Sequence, residues 1–479
     1  MDIRRIVFVI SFISLNVLPQ SKVKAQILIS DTLINSISQV ELIEMMSLPI
    51  VQYGIDAYKI QYLTNDINGD ESIASGLIVV PSINNCSWSL TSYLHGTETL
   101  KENAPSRLSD EASVGYFAAA IIGSVVALPD YLGLGDSPGF HPYIHSETEA
   151  SASLDMLRAT REFCENHAIN LNDDLFIFGY SQGGHSTLAL QKLIEEENAE
   201  EFNITASIPM AGPYDVSGVQ TDLLTNGENY PAPYYLPYLI LSYHNIYPEL
   251  NEYDYDSIFV SPYDSILPLY FDGYHSGGEI NAIMPSDPVN VLNPEFYNDF
   301  LTDSLHPFRL ALEANDLTSW TPIAPINFYY CGGDQHVTYL NAIVAYEIMN
   351  NLEGVTIEQT EIGPNFDHNE CAIPSITQAI LTFLQQSESC NTSVTENYLP
   401  NINIVPNPAT DVVTLDLKNT SYKSIDLVLI DCIGRIVIRK ELNSEYNNKL
   451  NISHFNSGLY FLQLYSEGKL IGTNKLIKQ

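Results

Sequence analysis

An apolar run that ends at a glycine-flanked serine constrains this chain more than any other feature. Residues 174–197, "DLFIFGYSQGGHSTLALQKLIEEE", predict a strand that passes into a helix, with Ser181 at the turn. Gly179 and Gly183 flank the serine, and Gly184 leaves further room. This strand–turn–helix arrangement can hold a nucleophilic serine on a strained turn. The spacing alone also fits an ordinary glycine-rich connection, so the rest of the chain must decide.

Predicted strands and helices alternate from about residue 57 to residue 385. The strands are short, nearly continuous apolar runs such as "IIGSVVALPD" and "PINFYYCGGD". Runs of this kind are typical of strands that are buried on both faces. We therefore predict an α/β fold, a mostly parallel sheet with helices on both faces. The spacing Asp66-x-Asn68-x-Asp70 resembles the start of a calcium loop but lacks its closing Glu, which favours a polar hairpin turn.

A nucleophile on such a turn requires an acid and then a histidine from later strands. Asp334 lies in a glycine turn after a predicted strand, before a helix expected to begin at about Val337. His368 lies in a loop after the last predicted strand, just before the closing helix. Taken singly, Asp334 could be a helix N-cap and His368 a surface residue. Their order after Ser181 favours a catalytic trio.

Other histidines and acids compete for these roles. His336 shares the loop of the predicted acid, so it is poorly placed to reach the serine. His185 follows the serine on its helix and is expected to face packing or solvent. Asp215 and Asp367 are the alternative acids. Three further histidines, expected to contact substrate or solvent, lie in the insertion described below: His244, His275 and His306.

An oxyanion hole needs two backbone N–H groups aimed at the developing charge. One is expected from Gln182, directly after the serine. The other is expected from the segment "SYLHGTE", which offers His95, Gly96 and Thr97. We favour the N–H of Thr97, with Gly96 next. A plain turn at the end of the strand is the alternative.

An insertion at about 216–322 separates two predicted strands and is dense in Tyr and Pro. It is too long for a connecting loop, so it is expected to fold over another part of the chain. Its aromatic side chains would form an apolar pocket for the acyl or alcohol part of a substrate. Tyrosines are amphipathic, so the same surface could also stack on sugars or aryl esters.

The N-terminus predicts export. A basic start, an apolar stretch of limited length and "VKA" before Gln26 predict a signal peptide over residues 1–25 rather than a membrane anchor. The 20 Lys and Arg face 58 Asp and Glu, a formal net charge of −38. Such a surface repels nucleic acid and anionic lipid headgroups, which excludes nucleic acid as a partner.

The sequence changes character after residue 385. Residues 386–400 predict a linker after a hydrolase domain of residues 26–385, and residues 401–479 alternate apolar and polar side chains at period two. That alternation predicts a small C-terminal antiparallel β-sandwich.

Several ordered motifs carry a family resemblance. "YLHGTE", "VALPDYLGLGDS", "GYSQGGH", "YYCGGDQHV" and "FDHNEC" resemble the α/β-hydrolases of the secretory lipase family over about residues 40–385. The resemblance implies the α/β-hydrolase fold, an inserted lid, and ester hydrolysis by Ser181, His368 and Asp334. The segments "VPNPATDVVTLDL" and "DCIGRIV" and the closing strands resemble the sorting domain of the type IX secretion system of Bacteroidetes. This second resemblance implies delivery through the periplasm to the surface or medium by the type IX machinery.

The predicted activity is acyl transfer from a small-molecule or lipid ester to water, with neither a metal nor an organic cofactor. A peptidase or acyltransferase on the same fold, and a non-catalytic binder of ligands or glycans, are the alternatives. Cys331 ends the strand of the acid and Cys371 follows the histidine by three residues. We predict a disulfide between them, with a Cys371–Cys390 pair or a free Cys371 as alternatives.

Overall fold

The structure is a computed structural model that describes residues 26–46, 50–83, 86–387, 403–416, 424–431, 436–443, 448–466 and 469–479. The predicted signal peptide and most of the predicted linker lie outside the described residues. No helix in these ranges is both long and apolar enough to cross a membrane.

A nine-stranded sheet forms the centre of the larger unit, in the order β1-β2-β3-β5-β4-β6-β7-β8-β9. The strands from β5 to β9 along this order run parallel, and β1, β2 and β3 add an antiparallel edge. The predicted mostly parallel sheet is confirmed. The strands are β1 (Leu28–Ile37), β2 (Ile55–Asn65), β3 (Glu71–Pro81), β4 (Ser87–Leu94), β5 (Ser124–Pro129), β6 (Asn170–Tyr180), β7 (Ala206–Met210), β8 (Ile326–Cys331) and β9 (Ile357–Gly363).

Helices cover both faces of this sheet. In strand β6, Phe176 and Phe178 pack in a cluster with the helices α2 (Ala112–Ile122) and α14 (His368–Gln386). Ile177 packs on the other face with α3 (Ser146–Asn166) and α4 (Gln182–Glu197). Alternating burial along one strand follows from the period of two in side-chain direction. The remaining helices outside the lid are α1 (Gln39–Met46) and α13 (Leu340–Met349).

The insertion between β7 and β8 is helical and has a hydrophobic cluster of its own. We call this segment, residues 216–322, the lid. Tyr238, Tyr243 and Phe259 are among its buried side chains. Its helices are α5 (Thr221–Leu224), α6 (Tyr235–Ile246), α7 (Pro248–Asn251), α8 (Tyr255–Ile258), α9 (Tyr263–Tyr270), α10 (Gly277–Ile283), α11 (Pro294–Thr302) and α12 (Pro307–Glu313). Shorter helical turns occur at Lys101–Asn103, Pro105–Arg107, Val216–Gln220 and Pro288–Val291.

Two antiparallel sheets make up the C-terminal unit, in the orders β10-β11-β14 and β13-β12-β15-β16. Their inward apolar side chains form one cluster that includes Val413, Leu427 and Leu462. The predicted small antiparallel sandwich is confirmed. Its strands are β10 (Asn403–Val405), β11 (Val412–Asp416), β12 (Ser424–Asp431), β13 (Ile436–Asn443), β14 (Asn448–Asn451), β15 (Gly458–Ser466) and β16 (Lys469–Lys478).

Some elements differ from the expectations. Strand β1 and helix α1 precede the residue at which the regular alternation was expected to begin. Ile121 and Ile122 end α2 rather than starting β5, because Gly123 takes a left-handed conformation that stops the helix. The Asp66 motif is a hairpin turn: the Asp66 carboxylate accepts hydrogen bonds from the N–H groups of Asn68 and Asp70 at 2.8 and 3.0 Å.

Candidate active site

Ser181 lies on a strained turn between β6 and α4. Its backbone has φ 59° and ψ −120°, a region that residues with a side chain rarely adopt. The turn is crowded: a Cβ on Gly183 would lie 1.8 Å from Leu94 O, and one on Gly179 would lie 2.3 Å from Gly183 O. Glycines on either side of the serine are therefore required by the close approach of backbone atoms.

Three side chains predicted from separate parts of the chain meet at the carboxyl edge of the sheet. His368 Nε2 lies 2.9 Å from Ser181 Oγ, and His368 Nδ1 lies 2.6 Å from Asp334 Oδ2. Asp334 Oδ1 accepts hydrogen bonds from the N–H groups of His336 and Val337, both at 2.9 Å. Because the carboxylate accepts from the backbone on one oxygen, its other oxygen is fixed toward the imidazole. Nδ1 then donates to Asp334, which leaves Nε2 free to accept from the serine.

Two details of this arrangement differ from the expectation. His368 is the first residue of α14 rather than part of the preceding loop, and Asp367 caps that helix by accepting from the N–H of Glu370 at 2.9 Å. The helix after Asp334 begins at Leu340, because residues 334–339 form an irregular turn around the carboxylate. Asp367 is therefore engaged as the N-cap of α14.

The other alternative acid also has a capping role. Asp215 accepts from the N–H of Val219 at 2.9 Å and caps the helical turn Val216–Gln220. Neither alternative acid is hydrogen-bonded to the imidazole of His368 among the described contacts, whereas Asp334 is.

A disulfide joins Cys331 and Cys371, with their Cα atoms 6.0 Å apart. Cys331 is the last residue of β8 and Cys371 lies in the first turn of α14. This pairing confirms the prediction. It connects the strand that precedes Asp334 to the helix that begins with His368.

The competing histidines have other surroundings. His336 stacks on the ring of His368, with centroids 5.1 Å apart, and it makes no hydrogen bond to Ser181 in the described contacts. Burial, reinforced by the neighbouring His368, lowers the pKa of His336 to about 4. His244 and His306 are buried within the lid rather than facing substrate or solvent: His244 Nε2 lies 3.0 Å from Tyr253 O, and His306 caps α12. His275 is partly exposed and pairs with Asp272.

The proposed oxyanion donors lie beside the serine. Gln182 is the first residue of α4, so its N–H has no intrahelical acceptor and points from the positive end of a helix. A Cβ on Gly96 would lie 3.8 Å from Ser181 Cβ, which places the segment after β4 directly against the nucleophile. The Thr97 hydroxyl is hydrogen-bonded to the phenol of Tyr143 at 3.1 Å.

A buried carboxylate holds the side chain of Gln182. Gln182 Nε2 donates to Glu149 Oε1 at 2.8 Å, and Glu149 Oε2 lies 2.7 Å from His185 Nδ1. His185 Nε2 lies 3.0 Å from the carbonyl of Asn315, an obligate acceptor. His185 therefore packs into a fully buried network, one of the two expectations for it. The acid in this network was not predicted, because an isolated Glu in an acidic stretch of helix gives no signal of burial.

A second histidine completes the contact with Gln182. His141 Nδ1 lies 2.8 Å from Leu132 O, so this nitrogen is the donor and Nε2 accepts from Gln182 Nε2 at 2.8 Å. Burial lowers the pKa of His141 to about 4, which keeps the ring neutral and able to accept. The residue after the nucleophile is thus held from two sides.

Aromatic side chains from the lid pack against Tyr143 beside the site. The rings of Tyr143 and Tyr238 stack with centroids 4.3 Å apart, and Tyr235 lies beside them. Burial raises the pKa of all three phenols, so they stay neutral. No group of three or more His, Cys, Asp or Glu within the described ranges is placed to hold a metal ion.

Solved structures with the same fold include esterases. An inferred hydrolase from Legionella pneumophila is 28% identical with a TM-score of 0.69, and the match covers 76% of this chain and 100% of that one. The rice cell wall degrading esterase LipA from Xanthomonas oryzae is 25% identical with a TM-score of 0.67, covering 76% and 99%. Candida antarctica lipase A, 15% identical with a TM-score of 0.57 over 76% and 83%, shares the fold.

The C-terminal unit has a match of its own. Residues 403–479 match the Secretion system C-terminal sorting domain. No curated protein matches the chain. The sorting domain indicates export by type IX secretion to the cell surface or the extracellular space. The chain is therefore a secreted hydrolase in which an α/β-hydrolase fold with lipase and esterase neighbours precedes a type IX sorting domain.

Proposed function

We propose that this protein is a serine ester hydrolase of the lipase or carboxylesterase type. The observation that carries the proposal is the chain of hydrogen bonds from Ser181 Oγ to His368 Nε2 at 2.9 Å and from His368 Nδ1 to Asp334 at 2.6 Å. Ser181 lies on a strained turn at the edge of the sheet where the catalytic groups of this fold meet. A non-catalytic binder would need neither the strain nor this order of side chains.

Acylation begins when Ser181 Oγ attacks the ester carbonyl and its proton passes to His368 Nε2. Asp334 stabilises the imidazolium that forms and keeps the ring in the required tautomer. The backbone N–H groups of Gln182 and Thr97, or Gly96 in place of Thr97, donate to the oxyanion. The C–O bond of the ester then breaks, and the alcohol leaves with the proton from His368.

Deacylation repeats these steps with water. His368 takes a proton from water, the hydroxide attacks the acyl-serine, and the acid product leaves as Ser181 Oγ regains its proton. The reaction uses only residues of this chain and water.

A fluorophosphonate probe tests the nucleophile directly. We expect the probe to label the purified protein at Ser181, and we expect the Ser181→Ala variant to take up none. Hydrolysis of p-nitrophenyl esters, measured beside peptide anilides, then identifies the reaction. Labelling with turnover of anilides but not esters would favour the peptidase alternative. An absence of labelling in folded protein would favour the binder.

A further inference from the structure

A small cavity adjoins the nucleophile. It has a volume of about 20 Å³ and is lined by Ser181 and Gln182 together with side chains from the lid and neighbouring loops. The apolar part of its lining consists of Ile144, Pro213, Val216, Leu224, Leu239 and Val337. A cavity of this size holds about one water-sized group.

The position of the cavity indicates which half of an ester it takes. The alcohol must leave next to His368, because that imidazole supplies its proton. The cavity lining includes Ser181 and Gln182 but not His368. The acyl carbon is the atom that bonds to Ser181 Oγ, so the cavity lies where the acyl chain extends.

The polar groups of Gln220 and Tyr143 in the lining are already engaged. The Gln220 amide donates to His336 O at 3.0 Å and accepts from Asn341 at 3.0 Å. The Tyr143 phenol is hydrogen-bonded to Thr97. No Lys or Arg is among the lining residues. An acyl group that carried a negative charge would therefore lose its hydration without gaining an ionic partner.

We propose that this acyl site takes short uncharged acyl groups, acetyl above all, and that the lid residues Leu224 and Leu239 set the length limit. The inference rests on the proposed ester hydrolysis and names its substrate class. A longer chain must displace side chains of the lining, and Leu224 and Leu239 are the leucines of that lining that pack within the cluster of the lid. The methyl of an acetyl group fills the cavity with no such displacement.

The test compares p-nitrophenyl acetate, butyrate and octanoate. For the unaltered protein, we expect kcat/KM for acetate to exceed that for octanoate by about tenfold or more. Leu239→Ala shortens a side chain of the cavity lining and should raise the ratio of butyrate to acetate by about tenfold. Leu241→Ala, a truncation of a buried leucine on the same helix that does not line the cavity, is the matched control and should leave the ratio unchanged. Leu239→Val is a milder variant if the alanine variant fails to fold.

Fluorophosphonate labelling of every variant separates the two proposals. Labelled protein that prefers octanoate, or labelled Leu239→Ala and Leu239→Val variants with an unchanged ratio, would overturn the acyl-length inference and leave the serine hydrolase intact. Folded protein that is neither labelled nor active on any ester would overturn the proposed function itself.

Discussion

The ring of His336 stacks on the ring of His368 with the two planes 17° apart. Two imidazoles therefore lie side by side at the site, but only His368 is hydrogen-bonded to both Ser181 and Asp334. The pKa of His336 is lowered to about 4, so this ring is neutral at physiological pH and adds no charge beside the base.

We expect Ser181→Ala and His368→Ala to lower kcat by about 10⁴-fold or more, and Asp334→Asn to cost somewhat less. His336→Ala is the control for the base, and it should retain activity within about tenfold because its ring only packs. Steady-state kinetics on p-nitrophenyl acetate, with thermal melting to confirm folding, measures each effect. Activity that survived in His368→Ala but vanished in His336→Ala would show that the base is misassigned.

The buried carboxylate of Glu149, which accepts from the Gln182 side chain, leads to a separate prediction. In Glu149→Ala the Gln182 amide loses its acceptor and His185 Nδ1 loses its hydrogen-bond partner. We expect the N–H of Gln182 to lose its position and kcat to fall about tenfold or more, with little change in KM. Glu147→Ala, at an exposed position on the same helix, is the control. A lower melting temperature with normal kcat would mean that Glu149 is purely structural.

Glu98, next to Thr97, should make stability depend on pH. Burial raises the pKa of Glu98 from 4.5 to about 7. Because the folded state binds this proton more tightly than the unfolded chain does, stability is lost as pH rises from 4.5 through about 7. Glu98→Gln should therefore raise the melting temperature at pH 8 and change it little at pH 5. Glu196→Gln, at an exposed position, is the control. If Glu98→Gln changed the melting temperature equally at pH 5 and pH 8, the raised pKa of Glu98 would be contradicted.

A truncation after Leu399 tests the division of roles between the hydrolase and the C-terminal tail. The candidate catalytic residues all precede Cys371, so ester hydrolysis by the purified truncated protein should be nearly unchanged. Phe461 of the tail shares a hydrophobic cluster with hydrolase residues, so a modest fall in melting temperature is expected. In the cell, the truncated form should accumulate in the periplasm. Lost activity with intact export would show that the tail belongs to the catalytic unit.

Order along the chain was enough to predict the meeting of Ser181, Asp334 and His368, because carboxyl ends of parallel strands share one edge of a sheet. The same reasoning could not find Glu149. Its burial depends on how α3 packs against α4, and the surrounding sequence is that of an acidic solvent-facing helix. Strand β1 escaped prediction because much of it is exposed at the sheet edge, so its apolar pattern is weak. The aromatic lining of the lid could be predicted from composition, but the small volume of the acyl cavity could not.

The Cys331–Cys371 bond has a consequence for where in the cell the candidate site gains its covalent support. Cytoplasmic thiols stay reduced, and disulfides form once a chain reaches an oxidising compartment. While these thiols are reduced, the turn that bears Asp334 and the helix that bears His368 are joined by non-covalent contacts alone. Closing a loop of this span contributes about 4 kcal/mol to stability. We therefore expect the candidate acid–base pair to gain this cross-link only once the chain reaches an oxidising compartment, so that maturation of the site is coupled to export.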